Sequence, residues 1–142
     1  MAKTERFAFQ AGTKANVFWR VKKVLVHTLK VDDKEVTPSA KLSADLNAES
    51  IDYLDITFQL EKAFGIKTIK SELFMENLFT NPEFIQNGKM TPKGLAELRT
   101  RMPFASDELA IFETDPDINN FRNIFTVNVL VNFVCTKLNI TR

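Results

Sequence analysis

An all-α domain is predicted for this chain, and three observations predict it. Three stretches, 16–31, 48–64 and 127–138, carry apolar residues at helical spacing. No segment alternates convincingly at a period of two, which is the pattern of a half-buried strand. The breaks between the stretches are Pro, Asn and Gly signals of the kind that start and stop helices. The 142 residues fit one domain. With 44% hydrophobic and 26% charged residues, the chain belongs with globular proteins and not with disordered ones.

The elements follow in order. Residues 1–14 show no period and are expected to form a mobile tail. Asn16 to Val31 reads as a helix, with Phe18, Val21, Leu25 and Leu29 in one stripe and Val17 and Val24 widening it. Residues 32–49 read as a long loop that Val36, Leu42 and Leu46 pin to the core. A second helix is expected from about Ala48 to Phe64, capped by Asn47 and closed by Gly65. Ile51, Leu54 and Phe58 form one row on it; Tyr53, Ile56, Leu60 and Phe64 form another. Together they predict a wide face buried against several neighbours. Residues 67–114 read as short helices and turns. Their signals are Ser71, Asn81-Pro82 stopped by Asn87-Gly88, Thr91-Pro92, Met102-Pro103 and Ser106. Phe74, Phe79, Phe84, Phe104 and Phe112 mark this segment as packed structure and not linker. Asp115-Pro116 starts a short helix to about Arg122, and Thr126 caps a last helix from Val127 to Leu138.

Composition excludes several function classes. One cysteine and one histidine exclude a disulfide framework, a multi-cysteine metal site and His-pair metal motifs. No glycine-rich phosphate loop is present. Cys135 reads as a buried hydrophobe and His27 as a surface or packing residue. The apolar stretch Ile124 to Ile140 is interrupted by Asn128, Asn132, Lys137 and Asn139, so it is expected as a core helix and not a membrane span. Met1 to Phe9 has no apolar targeting core, and the expectation is a cytoplasmic protein with a reduced thiol.

Nineteen bases against eighteen acids leave no bulk charge for nucleic acid. The balance hides an asymmetry. Residues 1–30 hold seven bases and one acid; residues 31–66 hold eight acids and three bases. From Asp45 to Glu61 there are five acids and no base. Such a row is either a docking face for basic partners or an ordinary solvated helix face.

Chemistry centres on the run Asp45-Leu46-Asn47-Ala48-Glu49-Ser50-Ile51-Asp52. Ser50 stands in the first turn of an acidic helix, just after a long loop, with its hydroxyl expected outside, ahead of buried rows that begin at Ile51. No base accompanies it, which argues against a nucleophilic serine. A helix N-terminus does favour a phosphate ester. The run resembles the prosthetic-group site of acyl carrier proteins, whose pattern is D-L-G-x-D-S-L-D. The resemblance continues through Arg20-Val-Lys-Lys-Val-Leu, Val31-Asp-Asp-Lys-Glu-Val-Thr-Pro, Leu54-Asp-Ile-Thr-Phe-Gln-Leu-Glu-Lys-Ala-Phe-Gly-Ile and Phe125-Thr-Val-Asn-Val-Leu-Val-Asn-Phe-Val. It spans about residues 15–66 and 115–139. Glu49 stands for the family's Asp, Ile51 for its Leu and Asn47 for its Gly, and residues 67–114 are an insertion before the third helix. Ile-Asp-Tyr-Leu-Asp-Ile and Lys-Ala-Phe-Gly-Ile-Lys resemble carriers of very-long-chain acyl groups.

The resemblance implies an acyl-carrier-type four-helix bundle formed by the whole chain as one domain. It implies 4′-phosphopantetheine on Ser50 as the covalent cofactor, drawn from coenzyme A. It implies a non-catalytic carrier that presents thioester-bound acyl intermediates in fatty acid or specialised lipid biosynthesis. The expected partners are a phosphopantetheinyl transferase and enzymes of the ketosynthase, ketoreductase, dehydratase and acyltransferase kinds, with the acyl chain itself as bound cargo. Glu49, Asp52 and Asp55 would steer them, and Ile51 and Leu54 would add apolar contact. Two alternatives stand beside this reading: an unmodified carrier-fold interaction subunit, and a carrier of polyketide or aminoacyl intermediates.

Overall fold

A computed structural model of the chain describes residues 14–67 and 80–138. Helix α1 runs Lys14–Leu29, α2 Ser50–Phe64, α3 Pro92–Arg101, α4 Ser106–Phe112 and α5 Val127–Leu138. Three single-turn or longer 3₁₀ segments, Asp33–Glu35, Pro103–Ala105 and Ile118–Ile124, join them. The mostly helical architecture is the one the periodicity predicts. Helix α1 starts two residues before the expected Asn16, so the expected tail is shorter by Lys14; the rest of it, 1–13, lies outside the described residues.

The bundle is organised around α1, which packs against both α2 and α5. Its stripe Val17, Val21 and Leu25 is fully buried. Helix α5 is buried nearly all round: Val127, Val129, Leu130, Val131, Phe133, Val134 and Cys135 are inside. A helix apolar on every side belongs at the centre of a domain. The long loop is pinned where expected, with Val36, Leu42 and Leu46 buried. Its backbone also closes the open end of α5. Val127 N–H donates to the Ala40 carbonyl at 2.9 Å and Asn128 N–H to the Pro38 carbonyl at 2.9 Å. Thr126 Oγ1 accepts from Val129 N–H at 3.2 Å, so Thr126 is the cap the sequence predicts. Together these bonds satisfy donors that a helix start leaves without intrahelical partners.

The segment between α2 and α5 departs from a purely helical reading. Asn87-Gly88 does not stop a helix. It is the two-residue turn of an antiparallel hairpin, β1 (Ile85–Gln86) and β2 (Lys89–Met90), with Ile85 paired to Met90 and Gln86 to Lys89. Asn87 and Gly88 have φ of 55° and 76°, the left-handed pair a tight hairpin turn requires. Ladders of two residues are too short to show alternation, which is why periodicity missed them. The hairpin is tied to the chain ahead of α5: Met90 N–H donates to the Pro116 carbonyl at 2.8 Å and Ile118 N–H to the Gly88 carbonyl at 3.0 Å. Thr91 caps α3 through Gly94 N–H at 3.1 Å, as Thr91-Pro92 predicts. Asp115-Pro116 is not the next cap. Asp117 is, accepting from Asn119 N–H at 2.9 Å, and the element it starts is 3₁₀ and not α. The expected turn from Ser71, with Phe74 and Phe79, lies outside the described residues.

Phe104 and Phe112 are buried, and they join the main core. Phe104 meets Phe133 of α5 edge to face at 5.1 Å between centroids. Phe112 meets Phe121 at 6.0 Å, and Phe121 meets Phe125 at 5.3 Å. Asn132 of α5 donates to the Phe104 carbonyl at 3.2 Å. One hydrophobic core therefore runs from α1 through α5 into the inserted segment.

Candidate functional site

Ser50 is the first residue of α2. Its side chain lies outside the described residues, and the site is defined by what surrounds it. The cap is Glu49, in extended backbone at φ −106° and ψ 171°, and not the expected Asn47. Asp52 completes the turn: Glu49 N–H donates to Asp52 Oδ2 at 2.8 Å, and Asp52 N–H donates to the Glu49 carbonyl at 2.9 Å. The Asp52 carboxylate thus has a structural task besides any it has toward partners. An acid in the first turn also complements the helix dipole.

Asn47 has a different role. Its φ is +58°, in the left-handed region that costs most residues energy and that Gly and Asn tolerate best. The resembled pattern has Gly at this position, so Asn preserves the backbone the turn needs. Around it the loop closes on itself. Ala48 N–H donates to the Leu42 carbonyl at 2.8 Å and Lys41 N–H to Asp45 Oδ2 at 2.8 Å. Leu42 N–H in turn reaches the Phe125 carbonyl at 3.0 Å. The start of α2 is therefore held against the start of α5 through a chain of backbone bonds.

Tyr53 stands one turn after Ser50 and locks this corner. It is half-buried, packs on the Phe125 ring at 6.3 Å and hydrogen-bonds Ser43. Burial pushes its phenol above the ordinary 10.0, against the Ser43 bond and the Arg122 charge, while Asp52 adds to the push. Sequence reading did not give Tyr53 this part; its place three residues after Ser50 was the available signal.

The two apolar rows of α2 part company. Ile56 and Leu60 are fully buried and Phe64 nearly so, but Ile51 is 74% exposed, Leu54 45% and Phe58 55%. The wide buried face expected from the pattern is corrected to a narrow one, because α1 covers one side of α2 only. The exposed ridge is flanked by Glu49 and Asp55, both exposed, and by half-buried Asp52. All five residues expected to meet partners, Glu49, Ile51, Asp52, Leu54 and Asp55, thus lie on the first turns of one helix beside Ser50. Phe58, with Lys62 Nζ 5.3 Å from its ring centre, extends the ridge and was read as core. Gly65, at φ +65°, ends the helix as expected.

An apolar-walled cavity of about 680 Å³ lies elsewhere, where the loop at Pro38 to Lys41, α4 and the 3₁₀ segment Ile118–Ile124 meet; the exposed Ile111 lines it. Among the described residues no group of His, Cys, Asp and Glu could hold a metal, and no helix is long and apolar enough to cross a membrane.

The geometry suits a covalent phosphate ester: a serine at the head of a 15-residue helix, between two exposed residues, with the helix start anchored from behind. Comparison with known proteins agrees. Residues 19–81 match the family described as "Phosphopantetheine attachment site". The acyl carrier protein of Petrotoga mobilis is 43% identical over 60 residues, covering 42% of this chain and 69% of the relative. That of Thermotoga maritima is 36% identical over 62 residues, covering 44% and 76%. Acyl carrier protein AcpXL of Brucella melitensis is 38% identical over 53 residues, covering 37% and 57%. No solved structure gives a significant match. The matched family segment ends at residue 81, so it takes in the first part of the 67–114 stretch, while α3, α4 and α5 stand outside it. The match implies a covalently attached 4′-phosphopantetheine prosthetic group. A helix-opening serine in this sequence run, on a helical bundle, with relatives matched over more than two thirds of their length, places the chain in the acyl carrier protein family.

Proposed function

We propose that Ser50 carries the 4′-phosphopantetheine and that the chain shuttles acyl intermediates between enzymes of fatty acid or specialised lipid biosynthesis. What carries the reading is the position of Ser50, which opens α2 in the run Asp-Leu-Asn-Ala-Glu-Ser-Ile-Asp inside the matched segment. When bound, the group supplies a terminal thiol that holds an acyl chain as a thioester. Everything else falls to the chain's own residues. Ser50 provides the attachment oxygen. Glu49, Asp52 and Asp55 present negative charge to the basic rim of a phosphopantetheinyl transferase and then of ketosynthase-, ketoreductase-, dehydratase- or acyltransferase-type partners. Ile51 and Leu54 give each partner a small apolar contact. Such docking is fast and weak, as a shuttle with several partners needs. The chain performs no bond chemistry itself. The stretches Ile51-Asp-Tyr-Leu-Asp-Ile and Lys62-Ala-Phe-Gly-Ile-Lys favour a dedicated lipid pathway.

The test is the intact mass of the protein after incubation with coenzyme A and a broad-specificity transferase. One phosphopantetheine is added to the wild type and none to Ser50→Ala. A wild type left unmodified by several different transferases supports instead an unmodified interaction subunit, and addition that persists in Ser50→Ala moves the attachment elsewhere.

A further inference from the structure

The outward strip of α1 is the feature that the carrier reading leaves unused. Residues 14–31 contain Lys14, Arg20, Lys22, Lys23 and Lys30 and no acid at all. The apolar stripe of this helix is already spent on the core, where Val17, Val21 and Leu25 are fully buried. Yet Trp19, the only tryptophan of the chain, is 59% exposed on the opposite side. Trp19, Lys23 and His27 are exposed and follow one another at spacings of four, so they lie along one edge of the helix, and the exposed Lys30 follows just beyond its end, at φ 56°. Lys23 Nζ sits 4.4 Å from the centre of the Trp19 ring. Beside them is an open depression of about 520 Å³, walled by Trp19, Lys22, Lys23, Val26, His27 and Asp33. Asp33 is the acid at its margin, and it pairs with Lys22 at 3.1 Å.

We propose that this strip seats the protein on a bilayer surface rich in anionic phospholipid. Charge sets the sign of the partner. Cations in an acid-free run are drawn to a surface of phosphate headgroups, and the attraction fades within a Debye length. The exposed tryptophan selects a bilayer over an acidic protein groove. An indole with cations beside it is the combination that settles at the boundary of headgroup and acyl chain, where ring and charge are both accommodated. From Trp19 to His27 the edge is about 12 Å long, enough for a flat surface to meet its exposed side chains together. The depression beside Trp19 gives one headgroup phosphate room beside Lys23 and His27, with the Lys22–Asp33 pair closing its margin. The acidic ridge of α2 is a separate surface of opposite charge, so seating α1 on a membrane uses none of the residues assigned to docking enzymes. The inference does not depend on Ser50.

Trp19 is its own reporter. The full chain is mixed with vesicles of phosphatidylcholine alone, or with about one third phosphatidylglycerol, at low salt. The expected result is a blue shift of the Trp19 emission and co-flotation with the anionic vesicles only, both reversed by high salt. Lys23→Gln and Lys30→Gln each weaken binding about fivefold. Lys93→Gln, on α3, leaves it unchanged. Circular dichroism confirms that the variants are folded. Absence of both shift and flotation with the anionic vesicles overturns the proposal. So does equal binding to neutral vesicles, or a shift produced by an acidic polypeptide and not by the vesicles. Phosphopantetheine loading of Ser50 is read separately by mass and is unaffected by any of these outcomes.

Discussion

Asn47 shows how much a single backbone angle decides. At φ +58° it holds the turn that delivers the chain to Ser50. Asn tolerates that region because its short polar side chain bonds locally, whereas a residue with an ordinary Cβ is strained there. Asn47→Ala is expected to cost about 1 kcal/mol of stability, and Asn47→Gly to cost nothing, as measured by urea unfolding. A loss as large for Gly as for Ala would show that the amide side chain, and not the angle, matters. Tyr53 gives a pH prediction. Its folded pKa is raised by burial, so the neutral phenol is favoured in the native state. Its contribution is therefore complete below the unfolded value near 10 and is lost as pH rises through the folded value. Stability is expected to fall above about pH 10, and Tyr53→Phe is expected to flatten part of that fall. A variant whose alkaline profile overlays the wild type's would remove Tyr53 from the cause. That Ser50 sits in the first turn of a helix was legible from sequence, although the helix begins at Ser50 and not at the expected Ala48; the job of Tyr53 was not, because its partners Ser43 and Phe125 come from a loop and from the chain just ahead of α5.

Among the elements, the hairpin and α3 meet closely at Gly94. A Cβ on Gly94 would stand 2.7 Å from the Phe84 carbonyl oxygen and 2.7 Å from Met90 Cγ. The methionine can move but the backbone oxygen cannot, so Gly94→Ala is expected to destabilise by about 1–3 kcal/mol, read as a lower thermal midpoint. An unchanged midpoint would mean that the hairpin shifts freely against α3. The same contact explains why Asn87-Gly88 could be misread. Each strand has two residues, and what makes them strands is bonding to each other and to Pro116 and Ile118, which no local pattern reveals. Helix α2 teaches the converse. Its two apolar rows look alike in sequence, yet among the described residues the row through Ile56 and Leu60 is buried and the row through Ile51, Leu54 and Phe58 stays exposed.

At the scale of the whole molecule, residues 80–113 are part of the bundle and not an appendage. Leu98, Met102, Phe104, Leu109 and Phe112 are buried in the same core as α1 and α5, and the Phe104 carbonyl takes the Asn132 amide. Replacing residues 80–113 by a flexible linker is expected to abolish cooperative thermal unfolding, because it strips one side of α5 of its packing and opens a cavity far larger than a single side chain. A truncated chain that still unfolds cooperatively would show that α1, α2 and α5 hold together alone. The charge of the molecule is likewise divided between elements. Cations gather on α1 and acids on α2, and the near-zero total conceals two surfaces of opposite sign.

The sequence by itself determined the helices with long stripes, their caps at Thr91, Thr126 and Gly65, the buried pins Val36, Leu42 and Leu46, and the run around Ser50 that marks the family. These are local: each depends on spacing or on a side chain bonding its own turn. Only the tertiary structure decided which apolar row of α2 faces out, that Asn47 supplies a left-handed turn while Glu49 caps, that a hairpin sits in the insertion, and that Phe104 and Phe112 complete the main core. Those outcomes depend on which surfaces meet. Burial is a property of the pair of elements in contact, and a sequence pattern states only that a face is apolar, not what covers it.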